Sequence, residues 1–171
     1  MSSSTLPSSL ALPFSDSDIH NAIQANVWNT PFHLYSEAVM QATADRLSTV
    51  FLRHGLIFKN HFAVKALPNP HVLQILQEKG MGMDCSSVPE IHLAQSVWVT
   101  GEGIMFTSNN TTVDEFREAK EAGAIINLDD ITHIAKLERV GFPDIVCCRY
   151  NPGQEKEGNS IIWESVKQKY G

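Results

Sequence analysis

The sequence predicts an α/β fold built on a parallel sheet, and two observations support that prediction. Short apolar segments recur at intervals of roughly 20 residues, and a helical stretch fills most of each interval. The segments begin near Ile57, Met83, Ile104, Ala124 and Ile145. Strands that alternate with helices pair in parallel, because each helix returns the chain to the same end of the sheet. The second observation is a lysine, Lys65, at the end of the first strand, where an α/β barrel carries its chemistry.

The helices before and after the first strand are marked by their apolar pattern and their ends. The first helix has an apolar stripe that Gly55 ends, formed by Met40, Ala44, Leu47 and Phe51. Asn69 and Pro70 are a cap and a first-turn residue, and they open the second helix. Its apolar residues are Val72, Leu73 and Leu76, and Gly80 closes it.

The later helices carry similar signals. Thr112 and Glu115 have the spacing of a capping box, and Gly123 follows the helix that they start. Asp130 is the expected cap of the next helix, whose apolar positions are Ile131, Ile134 and Leu137. The alternation of strand and helix is therefore punctuated along most of the chain.

Length and composition exclude several classes of protein. The 171 residues, 43% of them hydrophobic, suffice for one ordinary core. A net charge of −6 and the lack of a basic cluster argue against nucleic acid or an anionic membrane as partner. No apolar stretch is long enough to span a bilayer, and the Ser-rich start has no signal-peptide pattern. We expect a disordered tail over residues 1–15, one domain over 16–171 and a cytoplasmic location.

The three cysteines, Cys85, Cys147 and Cys148, have neither the parity of disulfides nor the spacing of metal ligands. They are predicted to be reduced and mostly buried. The seven histidines include no pair at zinc-site spacing with an obvious third ligand, so no metal is expected.

Lys65 is the residue most suggestive of chemistry. A half-desolvated ammonium at a strand end can lose its proton readily enough to act as an amine nucleophile, and such a nucleophile suits a carbonyl cofactor such as pyridoxal phosphate. A lysine after a strand is also commonly just a solvated strand end. The assignment therefore depends on the motifs around it.

Six motifs occur in the order typical of one enzyme family. They are Thr30-Pro31 with Tyr35; Ala63-Val64-Lys65-Ala66 followed by Asn69-Pro70; Gly82-Met83-Asp84-Cys85-Ser86-Ser87 with Glu90; Phe106-Thr107-Ser108-Asn109-Asn110; Ile126-Asn127-Leu128-Asp129; and Arg149 before Asn151-Pro152-Gly153. With them the chain resembles the fold-type-III pyridoxal-phosphate decarboxylases, which act on diaminopimelate, ornithine and arginine, and it looks most like diaminopimelate decarboxylase.

The resemblance implies a TIM-type (β/α)8 barrel of the alanine-racemase-like kind. By this resemblance we expect the chain to supply about five of the eight strands that the family has, without the family's C-terminal β domain. We therefore expect the N-terminal part of such an enzyme, inactive by itself, whose full-length form is a homodimer. One local departure is Trp98, which stands where the family usually has glycine.

The resemblance also assigns a site for pyridoxal 5'-phosphate. Lys65 would hold the cofactor covalently, Asp84 would lie beside it, and Glu90 and Arg149 match further acidic and basic positions of the pocket. Ala63 and Ser87 belong to the same cofactor-binding set. Three ordinary roles compete with these assignments: a capping box of Ser87 with Glu90, a strand-end aspartate, and an Arg149 that only pairs with a neighbouring carboxylate.

The reaction implied by the resemblance is the decarboxylation of an amino acid, with meso-diaminopimelate converted to L-lysine and carbon dioxide. Ornithine, arginine and carboxynorspermidine are alternative substrates. A racemase and the small pyridoxal-phosphate homeostasis protein are more distant alternatives. A different class of function is a non-catalytic half barrel that pairs with a copy of itself or with a decarboxylase subunit, in the manner of an inactive regulator.

Overall fold

The computed structural model describes residues 12–25 and 31–150. Over this part of the chain the strands form one parallel sheet in the order β1-β2-β3-β4-β5. They are β1 (His61–Ala63), β2 (Gly82–Cys85), β3 (Ile104–Ser108), β4 (Ile125–Leu128) and β5 (Val146–Cys148). Each strand lies beside the one that precedes it in the chain, as in a barrel of consecutive βα units. The predicted α/β class and its parallel sheet are confirmed.

The helices of the described residues are α1 (Asp16–Gln24), α2 (Glu37–Arg53), α3 (Pro70–Glu78), α4 (Val88–Ser96), α5 (Val113–Glu121) and α6 (His133–Glu138). Two short 3-10 helices, Val64–Ala66 and Gly101–Gly103, follow β1 and precede β3. From α2 onward each helix packs against the next, so these helices form one layer. Helix α1 was not predicted; it starts with a capping box of Ser15 and Asp18.

The predicted start of α3 is confirmed by its hydrogen bonds. The Asn69 side chain accepts hydrogen bonds from the backbone N–H groups of His71 and Val72, and Pro70 occupies the first turn. The start of α5 also follows the prediction, because Thr112 and Glu115 form both bonds of a capping box. Local sequence decides these two positions, since each cap needs only four consecutive residues.

Three details of the predicted elements are wrong. The first strand does not start near Ile57, whose side chain is fully exposed; its first bond to the next strand lies at Asn60, whose carbonyl accepts from the Gly82 N–H at 2.8 Å. In the α2 stripe only Ala44 is buried. Helix α6 starts at His133 and buries His133 and Leu137, while the Ile131 side chain is 79% exposed.

The core lies between the sheet and the helix layer. Alternate strand residues point into it and are fully buried there, namely Met83, Ile104, Phe106 and Ile126. They pack with helix residues such as Leu73 of α3, Ile91 of α4 and Phe116 of α5. We call this side of the sheet the helix-facing side. Its burial supplies the main favourable contribution to folding.

The remaining strand residues point to the other side of the sheet, which we call the second face. Near the carboxyl ends of the strands its side chains are Ala63, Asp84, Thr107, Asn127 and Cys147, all intermediate in exposure. A strand buried on one side only shows this alternation of apolar and polar residues. The polar half of each strand is therefore available for a site.

Several predictions concern residues outside the described part. They include Thr30, the turn Asn151-Pro152-Gly153 and most of the tail predicted over residues 1–15. The division into a tail and one domain stays a prediction. No helix among residues 12–25 and 31–150 has the length and apolar character needed to cross a membrane.

Candidate active site at the carboxyl edge of the sheet

The carboxyl edge of the sheet carries one row of polar side chains. Thr107 pairs in register with Asn127, and Asn127 pairs with Cys147. The same register, continued one or two residues beyond the last paired residues of β1 and β2, places Ser86 beside Thr107 and Lys65 beside Ser86. We call these five residues the edge row. Carboxyl ends of parallel strands are where α/β proteins bind ligands.

Lys65 lies in the 3-10 helix directly after β1, so the strand ends two residues earlier than predicted. Its side chain is exposed, which contradicts the expected half-desolvated position. The structure shows why: Val64 turns inward and is fully buried, and the next residue in the tight turn faces outward. The Lys65 Nζ donates to the Ser86 Oγ at 3.5 Å. The amine is thus accessible and held by one neighbouring hydroxyl.

Asp84 lies on β2 in register with Ala63, so both side chains face the same side of the sheet. Asp84 is two residues before Ser86, and Ala63 is two residues before Lys65. The Asp84 Oδ1 atom is buried and has no hydrogen-bond partner among the described residues. An unpaired buried carboxylate oxygen is costly, so a donor for this atom is expected. Asp84 forms no ion pair with Lys65 within the described part of the chain.

Cys85 follows Asp84 and points to the helix-facing side, where it is fully buried. Burial, together with the nearby charges of Glu90 and Asp84, raises the pKa of its thiol to about 12. Such a thiol stays protonated and is a poor nucleophile. Cys85 therefore belongs to the core, as predicted, whereas Cys148 is exposed and contradicts the prediction of mostly buried thiols.

Ser86, Ser87 and Glu90 form the connection between β2 and α4. The Glu90 carboxylate accepts from the Ser86 backbone N–H at 3.0 Å and from the Ser87 Oγ at 3.2 Å. The Ser87 side chain caps no backbone N–H of the helix, and Glu90 binds the N–H of Ser86 instead of that of Ser87, so the capping box considered as an alternative role does not form. Both oxygens of Glu90 are thereby used to shape the turn that carries Ser86. The cofactor-binding roles of Ser87 and Glu90 stay predictions.

Arg149 follows β5, and its guanidinium pairs with the carboxylate of Asp129, which follows β4. The Nη1 to Oδ1 distance is 2.6 Å, and the Asp129 side chain is 5% exposed. Beside this pair lies a cavity of about 290 Å3, lined by Leu128, Asp130, Ile131, Ile134, Cys148 and Tyr150 together with the pair itself. Arg149 thus makes the pair with a neighbouring carboxylate that was considered as its alternative role. A cofactor-binding role of Arg149 stays a prediction.

Sequence reasoning placed Lys65, Asp84 and Arg149 at strand ends, and the structure confirms that all three lie at one edge of the sheet. It missed Ser86 and Asp129, which are the direct partners of Lys65 and Arg149. Both stand within motifs that the sequence singled out. Their signal was the spacing of about 20 residues between one strand end and the next, which places them side by side in a parallel sheet.

The residues at the Lys65 end fit a pyridoxal group on two observations. An accessible primary amine is present at Lys65, and the buried Asp84 oxygen lacks a donor within the described chain. The small side chain of Ala63 leaves room beside Asp84 on the same face. An aldehyde that reacts with the amine and an attached ring that offers a donor would satisfy both.

Comparisons with known proteins also indicate a pyridoxal-binding domain. Residues 40–171 match the family model described as pyridoxal-dependent decarboxylase, pyridoxal binding domain. Protein TabA of Pseudomonas amygdali pv. tabaci is 36% identical over 85% of the chain, which spans 34% of that protein. Diaminopimelate decarboxylase of Bacillus subtilis is 29% identical over 81% of the chain, which spans 33% of the enzyme.

Solved structures show the same fold. Diaminopimelate decarboxylase of Helicobacter pylori, complexed with L-lysine, has a TM-score of 0.70 at 21% identity, with 88% of this chain and 39% of that chain covered. Diaminopimelate decarboxylase of M. jannaschi has a TM-score of 0.64 at 26% identity, with 69% and 28% covered. The chain thus spans about a third of the length of the curated relatives that it matches.

Proposed function

This chain belongs to the pyridoxal-dependent decarboxylase family through its pyridoxal-binding domain, and from that premise we propose that it forms the cofactor-binding part of an amino-acid decarboxylase with Lys65 as the covalent anchor. The observation that carries the proposal is the arrangement at the ends of β1 and β2. There the exposed amine of Lys65 follows β1, and Asp84, on the adjacent strand β2, has a buried carboxylate oxygen with no partner among the described residues.

Pyridoxal phosphate, when bound, supplies an aldehyde for amines and a conjugated ring that takes up electrons as a carboxylate leaves. The chain's own residues would do the positioning. Lys65 would offer its amine to the aldehyde, and its Nζ would later supply a proton to the substrate carbon that has lost the carboxylate. Asp84 accepts a hydrogen bond at Oδ1 and favours a positive charge nearby. Ala63 keeps the space beside Asp84 open.

The Arg149 end of the edge would bind anionic groups. Its guanidinium is held by the nearly buried Asp129, which fixes the direction of the fork and lowers the cost of ordering it. An amino-acid substrate brings at least one carboxylate that such a group can bind. We therefore assign Arg149 to substrate or cofactor binding, and Glu90 and Ser87 to the shape of the pocket wall.

We propose meso-diaminopimelate as the substrate, with L-lysine and carbon dioxide as products. Support comes from the names of several relatives, among them the diaminopimelate decarboxylases of Bacillus subtilis and Methanothermobacter thermautotrophicus. Protein TabA is more similar in sequence than either, and its name states no substrate. Ornithine, which the similar enzyme of Leishmania donovani is named for, is the second candidate. A homodimer and a cytoplasmic location complete the proposal.

Trapping with pyridoxal phosphate tests the anchor. The protein is incubated with the cofactor, reduced with borohydride and digested for peptide mapping by mass spectrometry. We expect the label on Lys65 and its loss in Lys65→Arg, a variant that keeps the positive charge. Lys59 and Lys79 serve as internal controls, because Lys79 is engaged with Asp45 at 2.8 Å and neither follows a strand. Label spread evenly over the three lysines would contradict the assignment.

Release of carbon dioxide from meso-diaminopimelate, ornithine and arginine then tests the substrate. Faster release from ornithine or arginine would replace the proposed substrate and leave the anchor intact. Label on Lys65 with no release from any of the three amino acids would agree both with the expected inactivity of this part by itself and with the non-catalytic alternative.

A further inference from the structure

We infer that Ser86 is a positioning residue for Lys65: its hydroxyl holds the amine in the place from which it reacts with an aldehyde. The inference rests on the proposed function, since it assigns a role toward the same cofactor. The observation behind it is the hydrogen bond from the Lys65 Nζ to the Ser86 Oγ, 3.5 Å long. The Lys65 side chain makes no other hydrogen bond to the described residues.

The sheet itself brings the two residues together. Ala63 and Asp84 are partners in the register of β1 and β2, and Lys65 and Ser86 each follow two residues later. They therefore leave the sheet side by side, one strand spacing of about 4.8 Å apart. A serine hydroxyl at that distance reaches a lysine amine, whereas the side chain of an alanine at the same position would offer the amine no hydrogen-bond acceptor.

The backbone of Ser86 is itself held in place. The backbone N–H of Ser86 donates to the Glu90 Oε2 at 3.0 Å, and the other oxygen of Glu90 accepts from the Ser87 Oγ at 3.2 Å. Glu90 lies on the first turn of α4, where a negative charge is favourable. The position of the Ser86 backbone beside Lys65 is thus fixed by the start of α4. Glu90 acts on the amine only through Ser86.

A competing acceptor makes this positioning consequential. Asp84 lies two residues before Ser86 on the same face, and its Oδ1 has no partner within the described chain. A lysine that paired with this buried carboxylate would lose access to an incoming aldehyde. By holding Nζ at the outer position, Ser86 keeps the amine accessible and leaves the Asp84 oxygen for the bound group.

The experiment measures the reaction of the amine with an aldehyde, not turnover. Pyridoxal phosphate is added to the 171-residue protein, and the reaction is stopped with borohydride at a series of times. Label at Lys65 is counted by mass spectrometry relative to Lys59 and Lys79. In Ser86→Ala we expect the rate of labelling at Lys65 to fall about fivefold, the effect of one lost hydrogen bond, with the other two lysines unchanged.

Two variants separate positioning from a structural role. Ser86→Thr keeps a hydroxyl on the same atom and should restore most of the rate. Ser96→Ala removes a hydroxyl at the other end of α4, where it donates to the Leu93 carbonyl, and should leave the rate at Lys65 unchanged. Thermal unfolding of all variants is recorded alongside, and we expect Ser86→Ala to melt within a few degrees of the unmodified protein.

The outcomes distinguish the two proposals. If Lys65 carries no label in the unmodified protein, the proposed function fails. If Lys65 is labelled equally fast with and without the Ser86 hydroxyl, the anchor stands and the positioning role is wrong. The positioning role is equally wrong if Ser86→Thr reacts as slowly as Ser86→Ala, or if labelling at all three lysines falls together.

Discussion

The two sides of the sheet are built from alternate residues of the same strands, yet they have different roles. On the helix-facing side Met83, Phe106 and Ile126 are fully buried in one apolar cluster. On the second face their neighbours Asp84, Thr107 and Asn127 are polar and partly exposed. The helix-facing side therefore supplies stability, and the second face carries the candidate site. The effect of a substitution depends on the face of the sheet on which it lies as well as on the strand.

The largest expected effect compares two neighbours on β3. Phe106→Ala removes a fully buried ring, and we expect a loss of about 3–5 kcal/mol in the free energy of unfolding. Thr107→Ala, one residue on, removes a hydroxyl bonded to Asn127 at 3.4 Å and should cost about 1 kcal/mol or less. Urea unfolding of both variants makes the measurement. Similar losses would mean that the second face also contributes to the packed core.

The next prediction concerns thiol reactivity. At pH 8 a thiol whose pKa is about 12 is ionised in about one molecule in 10,000, and Cys85 is buried as well. Cys148 is exposed at the end of β5. We expect iodoacetamide to modify Cys148 more than about 100-fold faster than Cys85 in the folded protein.

Peptide mapping at several times measures this ratio, with Cys148→Ser to resolve the adjacent Cys147. In urea the two thiols should react at comparable rates, because unfolding removes the burial. Rapid modification of Cys85 under native conditions would show that the helix-facing side opens often enough to admit the reagent.

A smaller effect is expected at an exposed apolar residue next to the helix layer. Trp98, just after α4, has a φ of 65° and a side chain that is 85% exposed. This left-handed backbone conformation is unfavourable for any residue with a Cβ and free of that cost for glycine. We expect Trp98→Gly to stabilise the protein by about 1 kcal/mol.

Trp98→Ala is the matched control, because it removes the indole and keeps the Cβ. It should leave the free energy of unfolding nearly unchanged. Destabilisation by both substitutions would show that the indole stabilises the fold despite its exposure.

The smallest effect is expected from His133, a buried histidine on the helix-facing side. It is 2% exposed, its ring meets the Phe116 ring edge-on at 5.6 Å, and its Nδ1 has no partner among the described residues. Burial, with the charge of Lys136, lowers the pKa of His133, and the charges of Asp130 and Asp129 oppose this only in part. The neutral ring is thus favoured in the folded state.

The unfolded chain binds the proton more readily, so this contribution to stability is complete above the unfolded pKa of about 6.5 and declines as the pH falls through the folded pKa. We expect the melting temperature to fall below pH 6.5 and the fall to be smaller in His133→Phe. His92→Gln, at an exposed position of α4, serves as the control and should melt with the pH dependence of the unmodified protein. An identical profile in His133→Phe would remove His133 as the source.

Features that depend on consecutive residues could be predicted from the sequence alone. The caps at Asn69 and Thr112 and the alternation of strands and helices were predicted correctly, because each signal lies within a few residues or repeats at a regular interval. The family could likewise be named from its motifs in order. The same local information placed Lys65, Asp84 and Arg149 at strand ends.

Only the tertiary structure decided which side chains meet. The pairs Lys65 with Ser86 and Asp129 with Arg149 join residues that are 21 and 20 positions apart, and they exist because the parallel register sets adjacent strand ends side by side. Burial was also a tertiary outcome. Ile57 and Ile131 are apolar and exposed, while His133 is polar and buried, since packing against neighbouring elements, not residue type alone, decides what is covered.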